Sequence, residues 1–233
     1  MKTRSNEPEL MDDHALPQDQ LQAALNDISL VNKYLGGNRV TIKGLRYFFK
    51  KYPQNSYTIV DMGCGDGEVL REIAQYCRNR KIKVQLIGID LNPTSIAFAI
   101  RHSVAYPEIR FLRQDILQLS SRELQCDIVT STLTMHHFDE SQILGFLRHF
   151  IQLAKLGVVI NDLHRNRLAA MLFQPLSRIF MKTHVARHDG LISIKRAFKK
   201  EELQQFALKL KLTSYQVRWR WAFRYLWIID SRA

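Results

Sequence analysis

The sequence predicts an α/β protein: a doubly wound, mostly parallel sheet of seven strands that ends in an antiparallel hairpin, with N-terminal helices and a helical insertion after strand five. Three observations predict it. Short, nearly continuous apolar runs alternate with helical patterns between residues 57 and 162, as expected of strands covered on both faces by crossover helices. A glycine cluster follows the first run directly, where a strand would turn into a helix. Two final strand patterns, Ser214–Trp221 and Arg224–Asp230, are joined so tightly that they must pair antiparallel.

The elements follow in order. The first 16 residues are polar and read as frayed. From Gln18 to Leu35, the residues Leu21, Leu25, Ile28 and Leu35 repeat at helical spacing, and Gly36-Gly37 ends the pattern. A second helix is expected from about Val40 to Lys51. Residues 1–52 thus form an N-terminal helical extension, and 53–233 the main domain. In that domain Tyr57–Met62, Val84–Asp90, Ile109–Gln114, Asp127–Thr132 and Gly157–Asp162 read as strands. Glu68–Arg80, Pro93–His102, Ser141–Ala154 and Lys199–Leu210 read as helices. About 36 residues, Leu163 to Phe198, form the insertion, long for a connection of this kind. Within it Leu168–Phe173 is apolar, and Pro175 is expected to start a second helical turn.

Composition narrows the function. The chain has 233 residues, 34 Lys+Arg and 22 Asp+Glu, net +12. Residues 1–164 hold 19 basic and 18 acidic residues, whereas 165–224 hold 14 and 3. The excess therefore belongs to the insertion and the elements after it. No apolar run reaches the roughly 18–20 residues of a spanning helix, and the N-terminus has no apolar signal core. Three cysteines without metal-ligand spacing fit a reducing cytoplasm.

The chemistry sits in Asp61-Met62-Gly63-Cys64-Gly65-Asp66-Gly67. The dinucleotide fingerprint would need a third glycine at position 68, which is Glu68. Here the glycines alternate at 63, 65 and 67. Asp90 ends the next strand, where a carboxylate can accept both hydroxyls of a ribose. Asp115 ends the strand after that, placed to accept from an adenine amino group.

On these residues the chain resembles the class I S-adenosylmethionine-dependent methyltransferases, strongly over about Tyr57–Asp162 and in topology at the final hairpin. DMGCGDG, GIDLNP and QDI resemble the cofactor motifs of that family. TSTLTMHHF is similar to the segment after strand four in ubiquinone/menaquinone-type enzymes. ELMDD…LVNKYLGG and NDLHRN…RHDGLISIKRAF are similar to bacterial methyltransferases of polyketide and phenolic-lipid pathways. The resemblance implies S-adenosylmethionine as cofactor. Gly63, Gly65 and Gly67 would let the backbone pass its methionine part, and Asp61 would hold the ammonium through water. Asp90 would hold the ribose, Leu91 and Ile116 would sandwich the adenine, and Asp115 would hold its amino group. Ser131 and Thr132 would lie beside the methionine tail.

Methyl transfer from a sulfonium is an in-line displacement needing alignment and a dry pocket, and a hydroxyl acceptor also needs a base. His164 is the first candidate, with Asp162 as its orienting carboxylate; His136 and His137 come next. His184 and His188, beside Asp189, lack a third well-spaced ligand, so no metal is expected. The Pro-Pro-aromatic motif of exocyclic-amine nucleic-acid methylases is absent after strand four, which reads Ser131-Thr132-Leu133-Thr134. Cys126 lies at the wrong end of its strand to serve as a nucleophile, and Cys64 lies in the glycine loop.

The expected function is methylation of a small acceptor, at a hydroxyl oxygen of a phenolic, polyketide or quinone-like compound. A tRNA or rRNA methyltransferase using the basic segment 165–224, with Arg218, Arg220 and Arg224 as a further basic row, is the alternative; nucleic acid is the less favoured partner. A cofactor-binding protein without turnover is a third reading. Residues 163–198 are expected to act as a lid, to touch an anionic membrane surface from a cytoplasmic protein, or simply to pack.

Overall fold

The computed structural model describes residues 1–13, 15–119 and 124–232. In chain order its helices are α1 (Gln18–Tyr34), α2 (Gly37–Lys51), α3 (Glu68–Asn79), α4 (Pro93–His102), α5 (Glu140–Leu153), α6 (Arg167–Phe180), α7 (His184–Arg196) and α8 (Lys200–Lys209). The strands are β1 (Ser56–Met62), β2 (Lys83–Asp90), β3 (Ile109–Arg113), β4 (Cys126–Thr132), β5 (Ala154–Leu163), β6 (Tyr215–Arg220) and β7 (Arg224–Asp230). They form one sheet in the order β3-β2-β1-β4-β5-β7-β6. The first five strands are parallel, and β7 runs antiparallel to both β5 and β6. The order reverses between β1 and β4, and a ligand crevice opens at such a switch point, beyond the carboxyl ends of the strands.

Strand alternation explains the layers. Ile59, Leu86, Ile128 and Val159 pack with Leu45 and Phe48 of α2 and Leu70 and Ile73 of α3. Their neighbours Val60, Ile87, Val129 and Val158 pack on the other face with Phe146 and Phe150 of α5 and Leu203 and Phe206 of α8. Each such fully buried side chain contributes about 1.5–3 kcal/mol of transfer free energy. A third, smaller cluster joins Ala24 of α1 to Met181, Val185 and Ala186, so α1 packs on the insertion.

Local chemistry sets the helix ends. Asn92 caps α4, accepting from Thr94 N and Ser95 N, with Pro93 at the first helical position. Asp139 and Gln142 close a capping box on α5. Asn166 and Thr183 cap the two insertion helices. Gly157 is required by a close approach: at φ +155°, a Cβ there would lie 2.1 Å from the Ile229 carbonyl oxygen.

Three expectations are corrected. The N-terminal segment is not frayed. Leu10 N and Met11 N donate to the Asp189 carboxylate at 2.8 and 2.9 Å, Ser5 N donates to the Lys195 carbonyl, and Arg165 donates to the Lys2 carbonyl. A polar segment is thus ordered by partners supplied from the insertion. Pro175 does not start a helix; it lies inside α6. The carbonyl its ring leaves unpaired belongs to Met171, which is on the exposed face where water can serve it. Arg224 is no member of a surface row; it is buried, because β7 lies between β5 and β6.

Candidate active site

The loop after β1 is built around Gly63, at φ +73°, where a Cβ would lie 2.3 Å from Thr134 Cγ2. Gly63 N and Cys64 N both donate to the Ile89 carbonyl, tying the loop to the end of β2. Gly65 N donates to Asp90 Oδ2 at 2.9 Å, and Asn92 N to Asp90 Oδ1 at 2.9 Å. Each carboxylate oxygen is thereby aimed by one backbone donor and keeps a lone pair for a ligand. Asp61 is fully buried and accepts from Thr130 Oγ1 at 2.7 Å. Burial pushes its carboxyl up to about 7, with the Asp90 charge adding and the Thr130 hydrogen bond opposing. Burial also raises Asp90, against its backbone hydrogen bonds.

A single cavity of about 690 Å³ runs past this loop, and Asp61, Gly63, Gly65, Asp90, Leu91, Asp115, Ile116 and Thr132 all line it. Asp115 is held by Leu117 N at 2.9 Å and by Gln118 Nε2. Ile116 is buried, whereas Leu91 is half exposed. Two expected residues are not in the wall. Gly67 caps α3 beneath the Phe111 ring, and Ser131 is buried, its hydroxyl donating to the Met62 carbonyl. Thr132 does reach the wall and shares a 2.8 Å hydrogen bond with Thr41.

All three candidate bases also line the cavity, but their environments differ. Asp162 does not orient His164, as the sequence had suggested. It sits 2.7 Å from His136 Nδ1. After β4 the chain turns through Leu133 at φ +56°, with Leu133 N donating to the Asn161 carbonyl. That turn carries His136 back over the end of β5, within reach of Asp162. Burial alone would lower the His136 pKa, but the Asp162 carboxylate and then Glu9 outweigh it and raise it to about 9. His164 is the opposite case. It is half buried, its ring stands edge-on to Tyr225 at 4.9 Å, and its Nδ1 has no hydrogen-bond partner among the described residues. Desolvation lowers its pKa below the usual 6.5, so it is neutral and able to accept a proton. His137 is half buried, with Nδ1 3.2 Å from Asp12.

Other functional candidates escaped the sequence reading. Arg224 donates to Asn32 Oδ1 at 2.6 Å from inside the cavity wall, and its Nη1 has no partner among the described residues. Desolvation lowers its pKa to about 10, against the charges of Asp162 and Glu68. Glu68, also in the wall, is raised to about 7 by burial. Glu9 and Asp12 reach the cavity from the N-terminal segment. His188 Nδ1 sits 2.9 Å from Asp189 Oδ1, and the same carboxylate also accepts from the Leu10 and Met11 amides.

Residues 59–157 match the family model described as a methyltransferase domain. No curated protein sequence matches the chain. Among solved structures, the plantazolicin methyltransferase BpumL in complex with SAH superposes with a TM-score of 0.72 at 15% identity, covering 95% of this chain and 93% of that one. The magnesium protoporphyrin IX methyltransferase ChlM from Synechocystis PCC 6803, with bound SAH, gives 0.56 at 14% identity, covering 84% and 83%. The CMeT domain of the citrinin polyketide synthase gives 0.61 at 13% identity, covering 80% of this chain and 50% of that one. The sheet order and the terminal antiparallel hairpin are thus those of a Rossmann-like methyltransferase fold. The family match over residues 59–157 spans the glycine loop and the strands beside it, and marks that stretch as a methyltransferase domain.

Proposed function

We propose that the chain methylates a hydroxyl oxygen of a small apolar acceptor, phenolic, polyketide or quinone-like, with His164 as the base. The observation that carries this is the cavity. Its nucleotide wall continues into an apolar chamber lined by Leu21, Leu25 and Ile28 of α1, Leu172, Phe173 and Leu176 of α6, and Trp221. Such a chamber desolvates an acceptor and holds it for in-line attack.

The cofactor residues are assigned as follows. Asp90 takes the ribose hydroxyls, Leu91 and Ile116 flank the adenine, and Asp115 takes its amino group. Asp61 takes the ammonium through water, and Thr132 lies beside the methionine tail. Gly63 and Gly65 leave room for the backbone to pass the cofactor. In the transfer step the acceptor oxygen forms a bond to the methyl carbon as the carbon–sulfur bond breaks. Neutral His164 takes the hydroxyl proton, and the sulfonium leaves as a neutral thioether, S-adenosylhomocysteine. The helices α6 and α7 form the roof over the acceptor, which fits a lid.

The basic segment supports an RNA substrate poorly, because much of it is spent internally. Arg165 pairs with Glu202 at 2.6 Å, Arg196 donates to the His136 and His137 carbonyls, and Arg224 is buried. The exposed face of α6 is apolar, with Leu168, Met171 and Ile179, beside Arg178 and Lys182, which fits an anionic membrane surface. Among the described residues no helix is long and apolar enough to cross a membrane. A cytoplasmic location is supported by the three buried cysteines, all free.

The test is S-adenosylhomocysteine formation from S-adenosylmethionine with panels of phenols, polyketides and quinols, against tRNA and rRNA. Turnover confined to RNA would overturn the small-acceptor reading, and no turnover with any acceptor would favour a cofactor-binding protein.

A further inference from the structure

We propose that Glu9, His136 and His137 form a divalent-metal site of the two-histidine, one-carboxylate kind in the wall of the cavity, suited to zinc.

One ligand atom from each residue lies within 4.8 Å of the other two. His136 Nε2 is 3.5 Å from Glu9 Oε1, and His137 Nε2 is 3.8 Å from Glu9 Oε2. Bonds of about 2.0–2.2 Å to a tetrahedral zinc ion place neighbouring ligand atoms about 3.4 Å apart. These separations are too long for good hydrogen bonds and close to what a shared ion needs.

A second observation concerns hydrogen bonding. His136 Nε2 is fully buried and has no hydrogen-bond partner among the described residues, yet it points at Glu9. At 3.5 Å its ion pair with Glu9 is too long for a good hydrogen bond, and a metal ion between the two would satisfy both.

The rear of the cluster is built as metal sites are. His136 Nδ1 is held by Asp162 at 2.7 Å, and His137 Nδ1 faces Asp12 at 3.2 Å. A carboxylate behind each ring fixes the proton on Nδ1 and leaves the Nε2 lone pair for a metal. Glu9 is oriented in turn by Ser193 Oγ at 2.8 Å. Arg4 and Arg196 pin the turn that carries both histidines through its carbonyls.

Three protein ligands leave coordination positions open to the cavity, where water or an acceptor oxygen can bind. A metal there would lower the pKa of an acceptor hydroxyl. That consequence rests on the methyl-transfer reading; the metal site itself does not.

The test uses the full chain, stripped with a chelator, without S-adenosylmethionine or acceptor. Zn²⁺ is titrated by calorimetry, and Co²⁺ by its visible absorption. The expected result is one ion per chain, with absorption typical of four- or five-coordinate cobalt. His137→Ala and Glu9→Gln should each weaken binding at least about tenfold, and His188→Ala should leave it unchanged. His137 is half exposed, so its variant should fold, and circular dichroism checks this. No saturable binding by the wild-type chain, or binding untouched in both variants, would overturn the site. Because no methyl acceptor enters the experiment, failure of the proposed reaction and failure of the metal site are told apart.

Discussion

Replacing Asp90 by alanine should nearly abolish cofactor binding, and the size of the loss follows from its contacts. Its two oxygens already accept from Gly65 N and Asn92 N, and each retains a lone pair directed at the cavity. Two ribose hydroxyls donating to a carboxylate are worth about 1.5–3 kcal/mol each. Losing both gives about 3–6 kcal/mol, or roughly a hundredfold to ten-thousandfold in Kd at 1.4 kcal/mol per decade. The true loss should sit toward the upper part of that range, because Asp90→Ala also frees the Gly65 amide that shapes the loop. Isothermal titration with S-adenosylhomocysteine measures it, with a thermal melt to show that the variant is folded. Asp90→Asn, which keeps one acceptor oxygen, should fall between the two. A folded Asp90→Ala protein that binds within about threefold of wild type would refute the assignment of the ribose site.

The other predictions concern protons, catalysis and packing. Asp61 titrates at about 7 in the free protein, and a ligand ammonium nearby favours its ionised form. Binding S-adenosylhomocysteine at pH 6 should therefore release protons, and above about pH 8 this contribution should vanish. Calorimetry in buffers of different ionisation enthalpy reads this; equal enthalpies in all buffers, or release that survives in Asp61→Asn, would contradict it. His164→Gln should lower kcat by about 10²–10⁴, the usual worth of a general base, with cofactor affinity unchanged. Because desolvation lowers the His164 pKa, kcat should stay level near neutrality and fall only as pH drops below about 6.5. Full turnover in the variant would remove His164 as the base. Gly157→Ala should destabilise the fold by about 3 kcal/mol, since its Cβ would meet the Ile229 carbonyl oxygen at 2.1 Å. A wild-type midpoint in urea would show that the β5–β7 pairing tolerates a side chain there.

What was legible in the sequence was what is local. The strands of the parallel sheet announce themselves by apolar runs, because both faces are buried. The glycine loop and Asp90 stand at strand ends, whose positions the runs define. The contacts that escaped are long-range ones. Asp162 and His164 are two residues apart, which made them look like partners. The turn at Leu133 instead delivers His136 to Asp162 from another strand's end. Glu9 and Asp12 lie in a polar segment with no periodicity, and its order comes from Asp189 and Arg165, far away in the chain. Arg224 looked exposed because its neighbours Arg218 and Arg220 alternate with aromatic residues. Only the position of β7, inside the sheet, shows that it is buried. The concentration of positive charge in 165–224 was visible at once, but its use was not: Arg165, Arg196 and Arg224 face inward.

The most direct test of the account is a methyl-transfer assay that follows both products. Purified protein is incubated with S-adenosylmethionine and an apolar phenolic, polyketide or quinol acceptor, and mass spectrometry follows S-adenosylhomocysteine and the methylated acceptor. The account predicts equal amounts of the two, with the new methyl group on a hydroxyl oxygen and turnover strongly reduced in His164→Gln. S-adenosylhomocysteine formed only when RNA is supplied, with the methyl group on the nucleic acid, would contradict it.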